Sequence, residues 1–337
     1  MSTNPILEAL TREGVLIDVS VRYWRAAKKL RPEDLGLDPD RVTDRLISLG
    51  HKRLLPRDAL KTFSLIESRA HALVEASTFP FLGGIGHFLP NAKLPEVTTR
   101  LEDLEREFQQ AREDFLGRYA SLRTEAVREW WEAARKLNAD PDQLVATIEA
   151  AFPRPEAMNR YYGFTTHLFQ VTVPEANMRL DVVQAGEQRA IVEARQRAAN
   201  EAARGIHEGT REFIGDCVAT LRQETAKICE EMLASMRGGK TEGVHQKTLN
   251  RLLKFLDQFR ALNFAGDGQL ETMLETARRE LLSRTADEYR DNESARHRLV
   301  TGLGRLRDEA RELAGQDARE IVERFGRMGT RRFTLAA

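Results

Sequence analysis

The chain has 337 residues, with 52 Lys and Arg balanced by 52 Asp and Glu; 31% of its residues are charged and 7% aromatic. A zero net charge argues against a protein built mainly to coat nucleic acid or anionic lipid, which needs a basic excess. No stretch approaches the roughly 20 apolar residues that span a bilayer, and Asp18 interrupts the best candidate for a signal core, Val15-Leu16-Ile17, so a cytoplasmic address is expected.

In chain order, the first signal is a strand. Val15, Ile17, Val19, Val21 and Tyr23 alternate with Leu16, Asp18, Ser20, Arg22 and Trp24. A helix is expected over 56–77. Phe79 to Leu82 and Ile85 to Leu89 flank Gly83-Gly84, which reads as a two-residue hairpin leaning on that helix. From Pro95 to residue 137, Leu101, Leu104, Phe108, Ala111, Phe115, Tyr119, Leu122, Ala126, Trp130 and Ala134 form one apolar stripe on a helix about 65 Å long. A second half-buried strand is expected over 165–173.

All 11 prolines lie at or before Pro174, and a proline-free run rich in Ala, Glu, Arg, Leu and Gln suits long helices. Residues 176–236 form the longest, about 90 Å. Its small-residue stretch from Ala194 to Gly209 reads as a bend or a close helix contact, the bend being preferred, and Gly238-Gly239 reads as its stop. Three shorter amphipathic patterns follow. They run through Leu249, Leu252, Leu256 and Phe259; through Leu270, Leu274, Ala277 and Leu281; and through Leu299, Leu303, Leu306, Ala310, Leu313, Ile321 and Phe325. Asp287 to Ser294 reads as either a solvated helix or a break, and residues 331–337 as a frayed tail.

The expected fold is therefore mainly α, long helices with coiled-coil-like packing plus a small antiparallel β element in the N-terminal half. The expected division is an α+β head over 1–174, including the helix 95–137, and an all-helical elongated region over 175–337. The long stripes suggest pairing with each other or with a second copy of the chain.

Beyond these patterns, Trp24, Lys28-Lys29-Leu30, Asp34-Leu35-Gly36-Leu37, Ser48-Leu49-Gly50, Lys52, Pro56, Leu60, Phe63, Phe81-Leu82-Gly83-Gly84, Pro90, Phe115-Leu116 and Tyr119 follow a recognisable order and spacing. The series resembles the DUF3150 family of bacterial proteins of unknown function, over roughly residues 12–135. The resemblance supplies no catalytic residues. It implies a helper or adaptor role beside a MoxR-type AAA+ ATPase and a von Willebrand A-type protein, on phages and mobile elements.

Chemical motifs are weak. Gly239-Lys240-Thr241 lacks the earlier glycine of a phosphate loop, since position 234 is Ala234, and His207-Glu208 lacks the second histidine of a zinc helix, since four residues on is Arg211. The seven histidines are scattered, no metal spacing emerges, and no cofactor is expected. Cys217 and Cys229 read as small buried hydrophobes. Carboxylate pairs such as Glu125 and Glu129 need a cleft to make an acid and a base, so no enzyme activity is expected.

Two surfaces remain as candidates. Phe81, Leu82, Ile85 and Phe88 crowd a glycine turn and suggest an apolar tip that docks a protein partner. Residues 22–57 carry ten basic against five acidic side chains, and Trp24, Arg25, Lys28 and Lys29 suggest a contact that grips phosphates and stacks a base. The leading expectation is a non-enzymatic adaptor or structural protein; the alternative is a nucleic-acid-binding protein of a phage or mobile element.

Overall fold

The computed structural model describes residues 5–35, 37, 38, 48–84, 86–137, 140–171, 188–237 and 244–330. Ile85, Gly238-Gly239, Lys240-Thr241, the end of the strand expected over 165–173 and the tail 331–337 lie outside them, as do the side chains of most residues over 188–199. The protein is mainly α-helical, with eleven α-helices among the described residues and a small sheet contributed by the N-terminal half. Among those residues no helix is long and apolar enough to cross a membrane.

The chain forms two compact units, interleaved in sequence, where a single division at 174 was expected. One comprises 1–17, 77–95 and 168–337; the other comprises 18–76 and 96–167. The sheet has the order β4-β5-β1-β6, with β1 at Gly14–Arg22, β4 at Phe79–Phe81, β5 at Gly86–Pro90 and β6 at Gly163–Phe169. A separate two-stranded ribbon pairs β2, Ala27–Lys29, with β3, His51–Arg53.

In the first unit the helices are α1 (Pro5–Glu13), α6 (Gln188–Arg237), α7 (Gln246–Leu262), α8 (Gly268–Leu281), α9 (Ala286–Asp291), α10 (Glu293–Gly315) and α11 (Arg319–Thr330). Leu249, Leu252, Leu256 and Phe259 are all buried, as are Leu270, Leu274 and Ala277, as the 3.6-residue period requires. Asn292 caps α10, its side chain accepting from the Ala295 N–H, so the ambiguous polar stretch is a short helix and then a break. The last pattern is also two helices, since α10 ends before α11 begins at Arg319. Leu221, Cys217, Cys229 and Met232 of α6 join one core with Leu299, Leu303, Leu306 and Ala310 of α10. The later part of the α6 stripe, from Phe213 to Met232, is thus buried within its own unit.

α6 runs unbroken through Gly205 and Gly209. The close contact, the less favoured reading, is what the structure contains at Gly209, where a Cβ would overlap the end of the Leu82 side chain. Leu82 belongs to the hairpin of β4 and β5, whose register pairs Phe79 with Phe88 and Phe81 with Gly86. The connecting loop is therefore four residues rather than two, and Gly83 and Gly84 adopt φ of 68° and 93°, which glycine alone takes without strain.

The apolar tip is corrected by burial. Phe81 is 0% exposed and Phe88 1%, and both rings pack against Phe213 of α6, while Phe88 also meets Phe264. The hairpin leans on these C-terminal helices, where the sequence pointed to the helix 56–77. Phe81 and Phe88 are core residues of this unit, and the half-buried Leu82 packs against the same core.

In the second unit α2 (Lys61–Glu75), α3 (Leu94–Lys136, entering at Glu96), α4 (Pro141–Ala151) and α5 (Pro155–Met158) surround an aromatic core. The α3 stripe is buried as expected at Leu101, Leu104, Phe108, Phe115, Tyr119, Ala126 and Ala134. Phe63 of α2 sits at the centre, its ring against Tyr23, Phe108, Phe115 and Tyr162.

Candidate anion-binding site

The basic stretch folds into a ribbon, a turn and a helix start. Gly50, at φ 76°, lets the chain return so that β3 runs antiparallel to β2, with Ala27 opposite Arg53, Lys28 opposite Lys52 and Lys29 opposite His51. The Leu54 N–H donates to the Ala26 carbonyl at 2.7 Å, and Trp130 of α3 donates its indole N–H to the Arg53 carbonyl at 2.8 Å. Pro56 then turns the chain into a short 3-10 segment, Arg57–Leu60, that leads into α2.

Side chains alternate across a strand, so the register sorts the cations onto two faces. Lys28 and Lys52 share one. Lys52 is enclosed there with Asp34, Nζ to Oδ1 at 2.6 Å, and Asp34 also accepts from the Arg31 N–H, so this pair braces the ribbon. Lys29, His51 and Arg53 share the other face. It opens onto a trough of about 900 Å³ lined by Tyr23, Arg25, His51, Arg53, Arg57 and Lys61, with Asp58 its one acidic lining residue.

Arg25 and Tyr23 hold special positions. The Tyr23 ring stacks on Phe63, centroids 5.5 Å apart and planes 22° from parallel. The Arg25 guanidinium lies on the Tyr23 ring, 3.9 Å from its centroid. Arg25 is fixed there by a two-pronged ion pair, Nη1 to Glu67 Oε2 at 2.9 Å and Nη2 to Oε1 at 2.6 Å, and it also donates to the Tyr23 hydroxyl. These bonds hold the Glu67 carboxyl below its ordinary range, and the same pairing raises Arg25; burial, with the Glu67 charge, raises Tyr23. Next to Arg25, Ala26 adopts φ 46°, a left-handed conformation that costs a non-glycine residue about 1 kcal/mol and turns the chain from β1 into the ribbon.

Arg25 is thus electrically satisfied, whereas Lys29, Arg53, Arg57 and Lys61 form no ion pair among the described residues. All four are exposed. Other surface arginines of this unit are paired, Arg69 with Glu107, Arg100 with Glu96 and Arg106 with Asp103. The trough therefore concentrates unneutralised positive charge that the overall composition conceals.

Of the residues singled out from sequence, Trp24 is only 7% exposed, its ring against Tyr119 and Phe152, and it is corrected from a stacking residue to core. Lys28 lies on the ribbon face away from the trough. Arg25 lines the trough, Lys29 stands on the ribbon face that opens onto it, and sequence reasoning missed the parts played by His51, Arg53, Arg57 and Lys61. The step of two from His51 to Arg53 and of four from Arg57 to Lys61 was the available signal.

A second open groove, about 880 Å³, runs between α8 and α10 in the first unit, with Met273, Ala277, Leu281, Leu306 and Leu313 along it and Glu280, Arg305 and Glu309 among its charged residues. Leu281 approaches Gly302 so closely that a Cβ there would fall 2.5 Å from Leu281 Cδ2. Among the described residues no group of three or more His, Cys, Asp or Glu is placed to hold a metal ion.

No curated protein and no solved structure matches the chain. A family model does, described as a protein of unknown function, DUF3150, over residues 11–211, which carries the likeness beyond α3 and into α6. With more than half of its length matched, the chain belongs to the DUF3150 family.

Proposed function

We propose that the protein is a non-enzymatic adaptor that binds an anionic partner in the trough beside α2. The observation that carries this reading is a set of exposed cations that form no ion pair among the described residues: Arg53, Arg57 and Lys61 line one concave surface with a single acidic lining residue, and Lys29 stands on the same face of the ribbon. Charge left unpaired on a surface otherwise rich in ion pairs is what a site for an external anion requires. Chromatography on a heparin column tests it. The wild type is retained to higher salt than Arg53→Glu/Arg57→Glu, and equal elution of the two excludes the trough as the anion site.

A MoxR-type AAA+ ATPase and a von Willebrand A-type protein are the partners the family suggests, and the groove between α8 and α10 offers a surface of the kind that accepts an amphipathic helix. Co-purification of the three proteins tests this second role. Thr301→Trp, which fills the groove from an exposed position, is expected to reduce recovery of the partners while Arg53→Glu/Arg57→Glu leaves it intact.

A further inference from the structure

The trough contains more than charge. Phe63, Tyr23 and Arg25 form three successive layers, and the outermost is a guanidinium whose inner face is occupied by the tyrosine and whose edge is occupied by Glu67. Its outer face is free: the Arg25 side chain remains 55% exposed and lines the trough. Bound edge-on to a carboxylate, Arg25 has little charge to offer another anion. It retains a flat, delocalised surface, held in one orientation by two hydrogen bonds and a ring. Unpaired bases stack on surfaces of this kind.

From this juxtaposition we infer that the trough binds single-stranded nucleic acid, one base lying on the Arg25 guanidinium and the neighbouring phosphates on Lys29, Arg53, Arg57 and Lys61. The inference rests on the anion reading above and deepens it. An acidic peptide satisfies the four cations equally well but has no planar group for the Arg25 face. A duplex supplies phosphates but keeps its base faces inside its own stack. Only the single strand uses both halves of the site. Three of the Arg25 N–H donors are engaged, two by Glu67 and one by Tyr23, and stacking on its plane is recognition through a base's flat face, which carries no sequence code.

Fluorescence anisotropy with the full-length protein tests this, using a labelled oligothymidylate, an abasic strand of the same length, a duplex and a polyglutamate of matched charge. The wild type is expected to bind the base-bearing strand about 5- to 10-fold tighter than the abasic one, the effect of stacking one base. Arg25→Lys keeps the charge and loses the plane, so it should bind the two strands alike. Arg53→Ala/Arg57→Ala should weaken both and reduce the slope of log affinity against log salt by about 1.4, at about 0.7 per phosphate contact. Circular dichroism and melting establish that each variant is folded.

Equal affinity of the wild type for base-bearing and abasic strands, undiminished discrimination by Arg25→Lys, or tighter binding of the duplex overturns the inference. Polyglutamate bound as tightly as the strand also overturns it, while the anion reading stands. If no polyanion binds, or if Arg53→Ala/Arg57→Ala binds as the wild type does, both fall together.

Discussion

Arg222 of α6 and Asp267, the N-cap of α8, meet as an enclosed ion pair, Nε to Oδ2 at 2.7 Å, with side chains only 5% and 2% exposed. Arg222 also donates to the Leu313 carbonyl near the end of α10, at 2.6 Å, and Asp267 accepts from the Leu270 N–H. One guanidinium from the body of α6 thus ties the start of α8 to the end of α10. Arg222→Met leaves the Asp267 carboxylate buried without its cation, a loss of about 3 to 5 kcal/mol. Urea denaturation measures it, and a loss below about 1 kcal/mol means that water reaches the pair.

Trp24→Ala removes a ring packed on Tyr119 and Phe152 and is expected to destabilise the protein by about 3 to 5 kcal/mol. Because Trp24 is core, the melting transition should move while affinity for oligonucleotide, measured below that transition, stays unchanged. A stable variant with lost binding would return Trp24 to the surface role the sequence suggested.

Gly14 opens β1 opposite Pro90, and a Cβ there would lie 2.5 Å from Phe88 Cζ and against the Leu89 carbonyl. Backbone cannot step aside as a side-chain end does, so Gly14→Ala is expected to cost about 1 to 3 kcal/mol. Gly209→Ala, whose new methyl meets only the end of Leu82, should cost less. A reversed order, read from paired thermal melts, would show that the sheet edge yields more easily than the contact of helix and hairpin.

How much of this was legible depended on distance along the chain. The buried positions of α3, α7 and α8 follow from spacing alone, because one amphipathic face needs one periodic stripe. α1 was missed although Ile6, Leu7, Ala9 and Leu10 show the pattern; nine residues give a stripe too short to separate from a loop. The trough was illegible for another reason. Arg25, Arg53 and Lys61 come together only through two three-residue strands and a 3-10 turn, and Arg25 becomes a flat surface only through Glu67, 42 positions away. Phe81 and Phe88 read as a patch because nothing local announces Phe213 and Phe264 as their cover.

Cys217 and Cys229 are both buried, and burial pushes the Cys229 thiol up to about 12 and the Cys217 thiol well above its ordinary value. The thiolate is the reactive form, so the folded protein should not react with a disulfide reagent at pH 8, while both thiols titrate in guanidinium. Prompt reaction of one thiol in the native protein would place the end of α6 in frequent local opening.

The Arg25–Glu67 pair gives the site a dependence on acid whose direction is fixed. Hydrogen bonds from Arg25 lower the Glu67 carboxyl below its ordinary value of 4.5, with burial opposing them. The folded value therefore lies below the unfolded one, and the stabilisation is complete above about pH 5 and is lost as pH falls through the folded value. Glu67→Gln removes the charge at every pH, so the melting temperature of the wild type should exceed that of the variant near pH 6, and the difference should narrow as pH falls through the folded value. Oligonucleotide discrimination should follow the same course, since a protonated Glu67 no longer clamps Arg25 on the Tyr23 ring. A melting difference that does not narrow at all on acidification, down to the pH at which the protein unfolds, would show that Glu67 contributes through packing rather than charge; discrimination unchanged over the same range while the melting difference narrows would show that Tyr23 alone holds Arg25 in place.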